Sequence, residues 1–520
     1  MAPRLLKVST TQGLNFTGSI LKNQIQLITY VDRLAGDLKQ LERLLNGALS
    51  ELFGGVHLLP FFTPIDGSDA GFDPIDHTEV DARLGSWQDV RNLGKKLDVI
   101  ADLIVNHISS DSPQFRDFSE RGHTSRFASM FLTHGRVFPE GSREEDLLRI
   151  YRPRPGLPFT STTLKCGEKH LLWTTFTPQQ IDIDVLHAEG RAYLSSILDR
   201  FYDAGIRMIR LDAVGYAIKQ PGTSCFMIQE TFQFIADLTS QAHALGMEVL
   251  VEIHSHYLRQ VQIAKQVDRV YDFALPPLVL HALFSRDTTA LSQWLTVRPQ
   301  NCITVLDTHD GIGAIDVGAG PSGQAGLLPP DVIDRLVETI HARSNGQSRM
   351  ATGGAANNLD LYQVNCTFFD ALGCRENEYL IARAIQFFVP GVPQVYYVGL
   401  FAGTNDMELL AHSRVGRDIN RHYYTPAEIQ TSLDKPVVRR LMDLMRLRNS
   451  HPAFTGNSQV ETPNAQRLSI SWNNAEHWAK LTVNLNQMSA VVTYSNPVAA
   501  NKTRTWHSHA SVAALEGCDE

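Results

Sequence analysis

Short apolar runs rich in β-branched residues recur along most of the chain. Eight of them are candidate strands: Gln24–Tyr30, Val56–Phe61, Val99–Asn106, Ile206–Asp212, Glu248–Glu252, Arg269–Phe273, Ile303–Asp307 and Gln394–Val398. Several are almost unbroken in apolar character, as strands buried on both faces of a parallel sheet must be. Between most of them lie stretches of helical period, such as Tyr193–Ala204 and Phe232–Leu245. Eight strands alternating with helices predict an α/β fold, a (β/α)8 TIM barrel.

Two connections are too long for ordinary barrel loops. One follows the third strand, from about His107 to Asp184, and contains Tyr151-Arg-Pro-Arg-Pro-Gly-Leu-Pro-Phe159. The other follows the seventh strand, from about Gly311 to Gly373, and holds a helical stretch, Asp331–Arg343. Such insertions are usually small domains or lids over a site. After about residue 454 short alternating segments take over, at Arg467–Trp472, Ala479–Leu485 and Ser489–Tyr494. The expected organisation is a barrel over 1–106, 184–311 and 374–453, inserted domains over 107–183 and 312–373, and a small C-terminal β-domain over 454–520.

Composition narrows the class. The 520 residues are 43% hydrophobic and 20% charged, with a net charge of −8. A chain of this length buries a full core without disulfide or metal staples. The acidic balance argues against a nucleic-acid or membrane-surface protein. The N-terminal residues lack the apolar stretch of a secretory signal, and no apolar run is long enough to span a bilayer. The six cysteines form no C-x-x-C pair, so buried thiols in a reducing cytoplasm are expected. Gly318-Ala-Gly320-Pro-Ser-Gly323 spells G-x-G-x-x-G. It lacks the preceding buried strand, and Pro329-Pro330 stands where the helix should continue, so it reads as a loop rather than a dinucleotide site.

Barrel enzymes carry their chemistry at the C-terminal ends of the strands. Three strands end near carboxylates: Arg210-Leu-Asp212, Val251-Glu252-Ile-His254 and Asp307-Thr-His309-Asp310. A single carboxylate there is often only a helix cap; three together, each beside Arg or His, suit glycosidic-bond chemistry. Its transition state is oxocarbenium-like and positive, so fixed negative charge stabilises it. One carboxylate must attack ionised and another must donate a proton, and crowding like charges beside one arginine separates such pKa values. Arg210 lies two residues before Asp212, on the same strand face, and is expected to keep it ionised.

These residues carry a resemblance. Asp102-Leu-Ile-Val-Asn106-His107, Arg210-Leu-Asp212, Glu252 and His309-Asp310 resemble the four signature regions of the α-amylase superfamily of glycoside hydrolases. More narrowly, the chain is similar to the sucrose phosphorylase subfamily, which includes glucosylglycerol and glucosylglycerate phosphorylases. The matching stretches are Gln26–Tyr30, Asp69-Ala-Gly-Phe72-Asp-Pro-Ile-Asp76-His77, the Tyr151–Phe159 loop, Thr177–Gln180, Asn358–Gln363 and Gly416–Arg421.

The resemblance implies roles at the matching positions. Asp212 would be the nucleophile, Glu252 the general acid and then base, and Asp310 a transition-state stabiliser. Asp69, Phe72, His107, Phe176, Gln180, Arg210, His309 and Arg417 would form the glucose side, with Asp69 and Arg417 paired. Asp360, Tyr362 and Gln363 would serve the acceptor side. Arg154, between Pro153 and Pro155, is the candidate phosphate ligand, with Tyr362 beside it. The implied reaction is retaining: an α-glucoside and inorganic phosphate give α-glucose 1-phosphate and a free acceptor.

No cofactor is expected. His254 and His256 share a strand face, but no third ligand has suitable spacing for a metal. The amylase relatives often hold calcium near the residue matching Asn106; the resembled phosphorylases generally do without it, so Asn106 is expected to be structural. The expected partners are the α-glucoside and phosphate, with no nucleic acid and no membrane, and the chain is expected as a monomer or homodimer. The run Tyr362-Gln-Val-Asn-Cys366-Thr-Phe368-Phe369-Asp370 departs from the Ser and Tyr that sucrose-specific members more often carry, which tilts the acceptor toward glycerol over fructose. Glycerate or fructose 6-phosphate as acceptor, a hydrolase or transglucosidase, and a non-catalytic sugar-binding barrel stay as alternatives.

Overall fold

A computed structural model describes residues 21–67, 69–154, 156–320, 323–352, 363–497 and 502–509. Eight parallel strands close into a barrel: Gln26–Thr29, Gly55–Leu58, Asp98–Ile104, Met208–Asp212, Glu248–Val251, Arg269–Asp272, Cys302–Thr304 and Val392–Tyr396, here strands one to eight. Each overlaps one of the eight apolar runs. Side chains alternate between two cores. Ile100, Met208, Leu250, Tyr271, Ile303 and Val392 fill one cluster inside the barrel, while Ile209, Leu211, Val249 and Val251 join the larger one beneath the helices.

The helices begin and end where local chemistry favours it. Ala188–Ala204 stops at Gly205, whose φ of 75° is the left-handed conformation that closes a helix. Pro330–Arg343 has proline at its first position, Asp331 in its first turn and His341 and Arg343 in its last, each suited to the helix dipole.

Both long connections have structure of their own. In the first, His107–Ser109 pairs antiparallel with Gln180–Asp182, and Phe159–Thr163 with Lys169–Trp173. In the second, Ile312–Gly313 pairs with Gln363–Val364. The glycine motif lies in this second connection, after a single 3-10 turn at Ile315–Val317 and a strand of only two residues, Ile312–Gly313.

Five antiparallel strands over Asn457–His507 form the C-terminal sheet. Trp472 donates from its indole to the Phe388 carbonyl at 2.7 Å, fastening the sheet to the barrel. Arg448 sits fully buried at this seam. Its guanidinium donates to the carbonyls of Asn23, Phe387 and Gly391 at 3.0, 3.0 and 3.2 Å and faces the rings of Phe454 and Trp472.

Candidate active site

Strand register builds the centre of the site. Arg210 on strand four stands opposite Asp102 on strand three and Leu250 on strand five. Its guanidinium therefore meets carboxylates from three strands. It pairs with Asp102, reaches Asp212 Oδ1 at 3.1 Å and Glu252 Oε1 at 2.6 Å. His57 braces the far side of Asp102 at 3.1 Å. Just beyond Asp212 the chain turns sharply: Ala213 takes a left-handed backbone with φ 53°, a strained conformation for a residue with a Cβ.

The charges do not balance one to one. Arg210 serves three carboxylates, so it does not by itself hold Asp212 ionised. Burial pushes the Asp212 carboxyl well above the usual range; Arg210 opposes this, and Glu252 and Asp102 push it up again. The Asp212 carboxyl consequently favours its protonated form in the free enzyme. Asp310 is the opposite case. Burial would raise it, but Arg417, at 2.8 Å, and Arg421 nearby outweigh that and hold it below the ordinary carboxylate range. Burial pushes His309 down to about 3, so its imidazole is neutral, and it stacks on Phe72 with ring centres 4.9 Å apart.

These groups surround a cavity of about 140 Å³. Of the residues singled out from the sequence, Asp69, Phe72, His107, Arg154, Phe176, Asp212, Glu252, His309, Asp310, Gln363 and Arg417 line it. Arg417, expected beside Asp69, shares the cavity with it and is ion-paired to Asp310. Arg210 lies underneath. Gln180 stands behind the wall: it is buried, with its amide 3.1 Å from His107 Nε2, and that nitrogen also lies 3.0 Å from the Phe72 carbonyl. Asp360 and Tyr362 fall outside the described residues. In the acceptor run, Gln363 faces the cavity, whereas Cys366, Phe368 and Phe369 are buried in the hydrophobic core.

Sequence reasoning missed one wall of the cavity. Tyr151, Tyr216 and Phe226 come from three separate segments and stack together, with Phe226 4.4 Å from Tyr151 and 4.8 Å from Tyr216 between ring centres. Tyr216 also meets Phe176 edge to face. An aromatic beside a proline-stiffened arginine, as in Tyr151-Arg-Pro-Arg154, was the available signal for Tyr151. For Tyr216 and Phe226 there was none.

His254 also lines the cavity, while His256 turns away to the Ala325 carbonyl at 3.1 Å. One ligand atom each from Glu252, His254 and Asp310 lies within 4.8 Å of the others. That donor set does not suit a metal. Burial would lower His254, but Asp316 at 3.1 Å outweighs it and pushes the imidazole up to about 9, leaving no lone pair at neutral pH. At Asn106, the position that matches the calcium site of the amylase relatives, Lys219 supplies the cation. Its ammonium donates to Asn106 Oδ1 at 2.8 Å, pairs with Asp182 Oδ2 at 2.8 Å and bonds the Tyr216 carbonyl.

No helix among the described residues is long and apolar enough to cross a membrane. Comparison with known proteins identifies the family. The family model "Alpha amylase, catalytic domain" matches residues 32–273. Sucrose phosphorylase of Agrobacterium vitis is 61% identical over 476 residues, covering 91% of this chain and 98% of that protein. Glucosylglycerol phosphorylase of Marinobacter adhaerens is 41% identical, covering 93% and 99%. The crystal structure of sucrose 6F-phosphate phosphorylase from Thermoanaerobacter thermosaccharolyticum superposes with a TM-score of 0.86 at 36% identity, covering 94% of this chain and 99% of that one. The chain is thus an enzyme of the α-amylase family and belongs, within it, to the group of glucoside phosphorylases that holds these relatives.

Proposed function

We propose that the protein is a retaining α-glucosyl phosphorylase. It takes an α-glucoside and inorganic phosphate to α-glucose 1-phosphate and the released acceptor. In the first displacement Asp212 attacks the anomeric carbon while Glu252 protonates the leaving oxygen. In the second, Glu252 takes the proton from the incoming phosphate as that nucleophile displaces Asp212. Two inversions give net retention.

The observation that carries the phosphorylase reading is Arg154 in the lining of the cavity that holds Asp212 and Glu252. A guanidinium there offers phosphate a charge-assisted, bidentate contact that water cannot use. Phosphate, glucosyl acceptor and water would compete for one covalent intermediate, and Arg154 favours the anion.

Fructose is the acceptor we place first, making the substrate sucrose. The tilt toward glycerol came from the run Tyr362–Asp370, in which Cys366, Phe368 and Phe369 are buried in the core. The relative named for sucrose is 61% identical and the one named for glucosylglycerol 41%. The test supplies α-glucose 1-phosphate together with fructose, glycerol, glycerate or fructose 6-phosphate and measures phosphate release. Fructose should give the fastest release. Forward reaction on sucrose should yield glucose 1-phosphate in proportion to phosphate; free glucose at every phosphate level would mean a hydrolase.

A further inference from the structure

One buried carboxylate at the site belongs to none of the steps above. Asp316 sits in the 3-10 turn Ile315–Val317 at the base of the second insertion and is fully removed from solvent. Three donors converge on it: the Ser255 backbone N–H at 3.1 Å, the Gln260 side-chain amide at 2.6 Å, and His254 Nδ1 at 3.1 Å. Ser255 and His254 follow strand five, directly after Glu252. Asp316 therefore stitches the segment that carries Glu252 to the insertion that carries Gln363.

Two further observations fix His254. Its ring lies flat on Phe273, with centres 3.9 Å apart and planes 17° from parallel. Gly313 closes the other side: a Cβ there would stand 2.8 Å from Asp316 Oδ2 and 3.5 Å from His254 Nδ1. The register pairs that glycine with Gln363. With Nδ1 committed to Asp316, the other ring nitrogen is determined. Nε2 is buried and has no hydrogen-bond partner among the described residues, on a side chain that lines the cavity.

We infer that Asp316, which touches no reacting atom, is a positioning residue that aims the Nε2–H of His254 at the acceptor side of the site, where it favours an anionic nucleophile. This rests on the phosphorylase reading and adds to Arg154 a second fixed donor for phosphate. The pairing also decides the charge on the ring. Asp316 acts most strongly on His254, Glu252 and Asp310 act in the same sense, the charged groups Asp212, Arg154 and Arg417 share the cavity, and Phe273 and Gly313 flank the ring without charge. An imidazolium donor offers phosphate a charge-assisted bond. A neutral acceptor hydroxyl gains less from that charge.

The experiment compares wild type, Asp316→Asn, Gly313→Ala, His254→Gln and the Asp316→Asn/His254→Gln double variant. Rates are measured over a phosphate titration between pH 6 and 10, and hydrolysis of the same glucoside is measured without phosphate. Asp316→Asn should raise the KM for phosphate about tenfold, the scale of one charge-assisted hydrogen bond, while hydrolysis changes much less. Gly313→Ala keeps the carboxylate and only displaces it, so it should shift KM in the same direction with the fold intact. In wild type the KM for phosphate should climb above about pH 9, as His254 loses its proton; in Asp316→Asn the climb should begin at lower pH. The double variant should be no worse than His254→Gln alone, because Asp316 acts through that ring. Additive losses, a parallel fall in hydrolysis and phosphorolysis, or an unchanged KM for phosphate would overturn the inference. If wild type itself makes no glucose 1-phosphate, the phosphorylase reading fails first, and this inference with it.

Discussion

Lys219 Nζ stands 2.8 Å from Asp182 Oδ2, and both side chains are almost wholly out of solvent. The pair ties the segment after strand four to the end of the first insertion, next to Asn106. Removing one partner strands a buried charge, which costs about 3–5 kcal/mol. Lys219→Met should therefore lower the denaturation midpoint sharply, as read by chemical unfolding. Wild-type stability and activity should be indifferent to EDTA, since an ammonium occupies the position. A strong EDTA effect would mean that a metal shares this position.

Asp212→Asn should abolish the covalent glucosyl-enzyme, because an amide is a poor nucleophile. The loss in kcat should be at least about 10³-fold. Mass spectrometry of the quenched enzyme with sucrose checks it directly: an adduct of one glucosyl unit in wild type and none in the variant. Near-wild-type turnover would remove Asp212 from its assigned role.

The same substitution should stabilise the fold at neutral pH. Burial raises the folded-state pKa of Asp212 above the unfolded value, which is about 3.9. The folded state thus holds a proton that the unfolded state releases, and stability falls as pH rises from about 4. Asp212→Asn removes that penalty, so its melting temperature should exceed wild type by a few degrees at pH 7, in the usual range of about 0.5–2 kcal/mol. The gap should close near pH 4. A variant that melts lower at pH 7 would contradict this charge balance.

Arg154→Ala should raise the KM for phosphate and slow phosphorolysis, with hydrolysis taking a larger share of the products. The first half-reaction should suffer less, because a neutral leaving acceptor gains less from the cation. Unchanged phosphate kinetics would place the anion elsewhere in the cavity.

Glu252→Gln should retain glucosyl transfer from substrates with good leaving groups, such as an α-glucosyl fluoride, and lose it from sucrose. The fluoride needs no protonation, so the comparison isolates the acid role of Glu252. Equal losses on both substrates would argue for another acid.

The barrel was legible in the chain because strands buried on two faces leave little choice of residue. Ile209 and Leu211 point outward under helices, while Arg210 and Asp212 point inward, and period two alone places the last pair in one site. Asp310 and His309 follow from their position beyond a strand end. Loop side chains lack such a period. Tyr216, Phe226 and His254 face the cavity only because separate loops fold over one another, and nothing local marks Asp316 as their anchor. The same limit applies to the run Tyr362–Asp370. Period alone does not show that a short helix, Phe368–Ala371, turns Phe368 and Phe369 into the core, with Cys366 buried just before it.

The seam at Arg448 bears on how the molecule comes apart. One guanidinium holds backbone from the approach to strand one, from the helix before strand eight and from the turn that leads into it, under aromatic rings of the C-terminal segment. The barrel's two chain ends are thus latched by a group that the last sheet keeps dry. A protein cut after the helix Pro436–Ser450 would open that latch to water, so the tail is no removable appendage. Barrel and tail should melt as a single cooperative unit, and a protease that nicks the tail should release the catalytic loops along with it.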